Sequence, residues 1–225
     1  MIIDRRDPKE TGREYALRVI KNNIIRLELA PGSTISENEL AADLGLSRTP
    51  VREAIIELSR IKIINTHPQK KSVVAEIDYD MVEEAHFMRR VLEREVVAEV
   101  CDCATDEDIA KLHDNLKLQH FYYDNKYAEL MTLDDEFHKL VFAIAKKSQI
   151  YEMMKNYSIH FDRVRHMSLA SVKNTKIIMD HDAIVDAIEK HDRALAQELT
   201  EKHLNRYKID ADVIKANYPQ YFGNK

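Results

Sequence analysis

Apolar residues recur at helical spacing along most of this chain, and at strand spacing in one short stretch near residue 70. From about Thr11 to Leu29, Tyr15, Ile20, Ile24 and Leu27 lie among the apolar positions of a first predicted helix. Leu40, Ala41 and Leu44 form a second, shorter stripe, and Val51, Ile55 and Leu58 a third. Gly45 lies between these stripes, and glycine most easily takes the left-handed conformation that ends a helix and turns the chain. Ser47 follows as a predicted N-cap whose side-chain oxygen accepts a backbone N–H two or three residues on.

Residues 62–66 and 72–77 are rich in β-branched side chains and predict two strands. The turn between them carries Lys70 and Lys71. Around Asp78 to Asp80 the alternation stops and helical periodicity takes over. Helices are predicted at about 79–101, 106–121, 127–146, 148–170, 175–190 and 192–213, with Thr105 and Asp108 marking one helix start. Short connections between six helices imply a bundle. The fold class is therefore mostly α, a winged helix-turn-helix over 1–78 followed by an all-α six-helix bundle over 79–225. The aromatic stretch from Tyr218 to Phe222 lacks periodicity, so its packing stays open.

Charge refines this picture. The chain of 225 residues has a net charge of −5, but residues 1–78 are net +1 and the remainder net −6. Any affinity for nucleic acid must then come from a local cluster and fall steeply with salt. Arg48 and Arg52, four residues apart, share one side of the third stripe's helix near its start. A recognition helix presents that end to base edges in the major groove, and arginine can hold guanine O6 and N7 together. Two solvated arginines on a surface helix are the plainer alternative. The lysine-tipped hairpin adds a wing placed to touch phosphate or the minor groove. No window is long and apolar enough for a membrane span, and no signal peptide is expected, so the chain is read as cytoplasmic. Cys101 and Cys103 are too close along one helix to face each other, so no disulfide is expected between them.

The segments Leu29 to Ser33, Ile35 to Glu37, Glu39 to Ala41 and Leu44 to Ala54 closely resemble the DNA-binding domain of the GntR family of bacterial transcription regulators. That resemblance implies Arg48 and Arg52 as main contacts to bases or phosphates, with Ser47 and Thr49 helping at the DNA backbone. Asn38 stands where some members carry a DNA-contacting arginine. The wing has Gln69, Lys70 and Lys71 where many members have a glycine.

A second chemical signal lies in the bundle. Asp134 and His138 are four apart on one predicted helix, and His181 and His203 lie beside the apolar positions of two others. Converging, one carboxylate and three imidazoles suit a divalent ion such as Zn²⁺, Ni²⁺ or Mn²⁺. Histidines on apolar faces are also ordinary hydrogen-bonded core residues, and spacing alone leaves both readings open. The region resembles the FCD ligand-binding domain of the FadR subfamily, through Arg89 to Glu93, Asp134 to His138, Asp180 and His181 with Ile184, and His203 with Leu204. The resemblance implies Asp134, His138, His181 and His203 as metal ligands, and Arg89 as an aid in holding the carboxylate of a small organic acid. Asp180 departs from the glutamate usual there.

Together these features describe a ligand-responsive regulator, a homodimer on a palindromic operator in double-stranded DNA and by the family's habit a repressor. The alternative is a metalloenzyme acting on a small carboxylic acid, for which an attached DNA-binding domain would have no role.

Overall fold

The computed structural model describes residues 1–66, 71–123, 127–171 and 176–223. They form two compact units, one of Met1–Val82 with Lys215–Lys225 and the other of Glu83–Ile214. The first unit therefore takes in the end of the chain, where the sequence pattern suggested a single cut at 78/79.

In the first unit, α1 (Gly12–Ile25) opens with a capping box. The Thr11 hydroxyl accepts the Glu14 N–H, and the Glu14 carboxylate accepts the Thr11 N–H. Its stripe of Tyr15, Ala16, Val19, Ile20 and Ile24 is buried. The helix stops at Ile25, short of the expected Leu29, because Leu27 takes a left-handed conformation at φ 62°. α2 (Glu37–Leu44) and α3 (Arg48–Arg60) follow, and α1 packs on α3. Val51, Ala54, Ile55 and Leu58 of α3 are wholly buried or nearly so. Each such large aliphatic side chain contributes about 1.5–3 kcal/mol.

Three antiparallel strands complete the wing, in the order β1 (Thr34–Ile35), β3 (Ser72–Val74), β2 (Ile64–Asn65). Thr34 pairs with Val73 and Ile64 with Val74. β1 was not anticipated, since two residues are too few to show a period. The aromatic tail settles here: Ile77 N–H donates to Tyr221 O at 2.8 Å and Ile77 forms a parallel bridge with Phe222.

Beyond the wing the described residues form eight helices rather than the expected six: α4 (Tyr79–Cys103), α5 (Asp106–Tyr122), α6 (Tyr127–Ile144), α7 (Ser148–Tyr157), α8 (Ile159–Ser171), α9 (Lys176–Glu189), α10 (Arg193–Leu204) and α11 (Tyr207–Asn217). Two expected helices are each divided. At Ser158 the hydroxyl donates to the Met154 carbonyl while its own N–H turns to Lys155 O, and such back-bonding bends helices. At Arg206 and Lys208 the N–H bonds tighten to i→i−3, onto His203 O and Asn205 O, and the Arg206 guanidinium is drawn onto the Asp180 carboxylate. Thr105 caps α5 with Asp108 in a second capping box, as its spacing predicts. The core joins Val97 and Val100 of α4, Leu112 of α5, Phe142 of α6 and Val185 and Ile188 of α9. Both cysteines are free thiols, Cys101 buried and Cys103 exposed. Among the described residues no helix is long and apolar enough to cross a membrane.

Candidate metal centre and nucleic-acid interface

α6, α9 and α10 bring Asp134, His138, His181 and His203 together, all four buried, with one donor atom from each within 4.8 Å of the others. His181 Nε2 stands 3.2 Å from His203 Nε2, which stands 3.3 Å from His138 Nε2. The Asp134 carboxylate lies 3.7 Å from Nε2 of both His138 and His181. Phe137 stacks on the His181 ring at 4.1 Å between centroids and walls one side.

The outward nitrogens of two of these rings have hydrogen-bond partners of their own. His138 Nδ1 lies 2.6 Å from Glu93 Oε2, and His181 Nδ1 lies 2.9 Å from Gln119 Oε1. His203 Nδ1 faces the Asp180 carboxylate at 3.7 Å, beyond a hydrogen bond. A ring that donates from Nδ1 turns a lone pair inward from Nε2. Burial, more than any neighbour, pushes His181 well below its ordinary pKa and lowers His203, so both rings are neutral near pH 7. Burial opposes ionisation of Asp134, but the Arg165 guanidinium and the surrounding histidines outweigh it and hold the carboxyl below its usual range. Asp180 is likewise brought to about 2, burial being outweighed by Arg206 and then His203.

Inward lone pairs so close together repel unless a proton or a cation lies between them. Two nitrogens each about 2.0–2.1 Å from one tetrahedral ion would lie about 3.3–3.4 Å apart. The two Nε2 pairs have almost that spacing, and the donor set of three imidazoles and one ionised carboxylate is right for a borderline divalent ion. The residues present therefore fit a metal.

Arg89 is fully buried rather than on the surface. Its Nε donates to Glu93 Oε1 at 2.6 Å, and its guanidinium lies 5.3 Å from the Phe161 ring centre. Glu93 thus joins Arg89 to His138. Arg165 contacts Asp134, and its Nη1 reaches Asp135 at 3.0 Å and Asp162 at 2.8 Å. Glu93, Asn115, Gln119, Arg165 and Asp180 all lie around this centre, and none was assigned to the site from the sequence. The signal for two of them was visible: Asn115 and Gln119 interrupt the apolar stripe of Leu112 and Leu116 with polar side chains.

In the other unit, Gly45 takes φ 63° and ψ 33° at the end of α2. Its N–H donates to Ala42 O at 3.2 Å and that of Leu46 to Ala41 O at 2.9 Å, closing the turn into α3. Ser47 occupies the N-cap of α3, but its side chain makes no capping bond, contrary to expectation. Ser47, Arg48, Thr49 and Arg52 are all exposed at the start of α3. Arg48 Nη2 is 3.3 Å from Glu37 Oε2 across the turn. Asn38 on α2 and Lys71 before β3 are exposed. Lys70 lies outside the described residues.

Comparison with known proteins matches both units. Residues 14–74 match the model for bacterial regulatory proteins of the gntR family, and residues 84–206 that for the FCD domain. The chain is 30% identical over 213 residues to a helix-turn-helix transcriptional regulator from an unstable DNA locus of Streptomyces ambofaciens, covering 94% of this chain and 90% of that one. It is 27% identical over 221 residues to the transcriptional repressor RspR of Escherichia coli, covering 97% of each. Among solved structures, Escherichia coli McbR/YncC superposes with a TM-score of 0.79 at 18% identity, over 93% of this chain and 99% of that one.

Proposed function

The chain belongs to the GntR family of bacterial regulatory proteins as a helix-turn-helix transcriptional regulator with an FCD domain, and from that premise we propose that it is a metal-dependent receptor for a small organic acid. Membership makes it a regulator rather than the metalloenzyme weighed from the sequence. The observation that carries the proposal is the buried Asp134, His138, His181 and His203 cluster with its inward lone pairs. These four residues would hold a divalent ion such as Zn²⁺, Ni²⁺ or Mn²⁺. When bound, the ion supplies positive charge and a coordination position for a carboxylate. Arg89 adds its guanidinium to the acid, and Arg165 keeps Asp134 ionised.

In the other unit, Arg48 and Arg52 read base edges, Ser47 and Thr49 grip the DNA backbone, and Asn38, Lys70 and Lys71 add further contacts to the DNA. One short helix reads too few base pairs alone, so two copies act together on a palindromic operator in the cytoplasm. The acid regulates only by binding one arrangement of the dimer better than another. Release from the operator is the direction proposed, which makes the protein a repressor.

A thermal-shift screen of small organic acids, with and without chelator, tests this. Certain carboxylates should raise the melting temperature, and chelator should abolish the shift. Protein of measured metal content that responds to no acid would overturn the receptor reading.

A further inference from the structure

Asn115 and Gln119 are buried side by side on α5, and together they make a one-way chain of hydrogen bonds that ends on His181. Asn115 Nδ2 is 3.1 Å from the backbone carbonyl of Leu133. Gln119 Nε2 is 2.6 Å from Asn115 Oδ1. Gln119 Oε1 is 2.9 Å from His181 Nδ1.

The direction of this chain follows from its first link. A backbone carbonyl can only accept, so the Asn115 amide must turn its NH₂ to Leu133 and its oxygen to Gln119. Gln119 must then donate to that oxygen, which leaves its own oxygen for the imidazole. Facing an acceptor, His181 must carry its proton on Nδ1. Each orientation is forced by the one before it, back to a carbonyl whose place is fixed by α6, the helix that also carries Asp134 and His138.

The consequence reaches the centre of the cluster. Without a metal, the crowding of lone pairs between His181 and His203 would be relieved if His181 moved its proton to Nε2. We propose that the relay Leu133 O–Asn115–Gln119 prevents this and fixes His181 as an Nδ1–H tautomer, holding a ligand lone pair inward before any ion arrives. His203, whose Nδ1 has only a carboxylate at 3.7 Å, is not held in this way. Asn115 and Gln119 are therefore positioning residues. This inference rests on the metal-site reading for its purpose, but the tautomer itself belongs to the metal-free protein.

That difference supplies the test. Two-bond ¹⁵N–¹H correlation spectra of the chelator-treated protein report the tautomer of each imidazole, and titration with Zn²⁺ gives affinity. The wild type should show His181 protonated on Nδ1. Asn115→Leu, which touches no histidine, should free the Gln119 amide to turn, mix the His181 tautomers and weaken Zn²⁺ binding about 10- to 100-fold. Asn115→Asp still presents an oxygen to Gln119 and should restore the single tautomer. If Asn115→Leu does not fold, Gln119→Leu and Gln119→Glu form an equivalent pair, the first losing the tautomer and the second keeping it. A wild-type His181 protonated on Nε2, or a single Nδ1–H tautomer that survives both leucine variants, would overturn the relay. Wild type with the expected tautomer but no affinity for Zn²⁺ would leave the relay standing and overturn the metal reading.

Discussion

Glu93 accepts from two buried donors at once, and replacing it with glutamine should show how much depends on its second oxygen. Oε1 takes the Arg89 Nε–H and Oε2 faces His138 Nδ1, each at 2.6 Å. The Arg89 and Glu93 side chains are only 2% and 3% exposed, so solvent screens the pair little. An exposed pair at this spacing would contribute a few tenths of a kcal/mol. Removing one partner of a buried pair instead costs about 3–5 kcal/mol, because the other charge is left uncompensated. Glutamine keeps one acceptor, so Glu93→Gln should fall near the lower end, about 3 kcal/mol. In a chain of this length that is a loss of about 6–12 °C in melting temperature. The substituted amide can offer its oxygen to Arg89 or to His138, but its NH₂ then faces the other. When it faces His138, the ring must move its proton to Nε2 and cease to be a ligand. Metal affinity should therefore drop with stability, by about 10- to 100-fold. Adding Arg89→Met removes one of the competing donors and should recover part of both losses. Calorimetry of the metal-free proteins and Zn²⁺ titration read the two effects. A Glu93→Gln protein melting within about 2 °C of wild type, or a double variant worse than the single, would refute the reasoning.

Arg52→Ala should leave the fold intact, since the side chain is exposed, yet lose specific operator binding. A bidentate arginine–guanine contact discriminates by about 1–3 kcal/mol, and unchanged gel-shift affinity would remove Arg52 from the interface. Gly45→Ala places a Cβ where no atom lies within 4 Å, so its cost is the left-handed backbone alone, about 1–2 kcal/mol. Denaturant unfolding that shows no loss would contradict that origin. Glu10 is bonded by the Arg18 guanidinium through both oxygens, which lowers its pKa from 4.5 to about 2. A depressed carboxyl stabilises the fold above its unfolded value and loses that contribution as pH falls from about 4.5 toward 2. An NMR titration of the Glu10 carboxyl with a midpoint near 4.5 would show that the pairing does not persist in solution.

Helix existence and the wing were legible because each rests on local periodicity. The apolar stripes of α1, α2 and α3 turn inward, as their spacing requires. Asp134 and His138 share a helix face for the same reason. Other features depend on contacts that sequence spacing does not encode. Among the described residues two expected helices are divided, because Ser158 bonds back to its own turn and Arg206 is drawn to Asp180. Glu93 stands four residues from Arg89, an ordinary helical pairing, and only the packing of α4 on α6 places its other oxygen on His138. Ser47 had the right residue type for a capping bond, yet its side chain makes none.

The segment from Lys215 onward finishes a unit whose other members are Met1 to Val82. Phe222 lies against Tyr79 at 6.1 Å, and Lys215 stands 3.7 Å over the Tyr79 ring. A ribosome must therefore translate the whole of Glu83–Ile214, on the order of ten seconds of synthesis, before the segment that closes the first unit exists. During that interval the nascent winged domain lacks the Tyr221 carbonyl that accepts from Ile77. Chains truncated within the helical unit by stalling or proteolysis would carry α3 without that closure, so a fully closed DNA-binding unit marks a chain whose FCD domain has also been made.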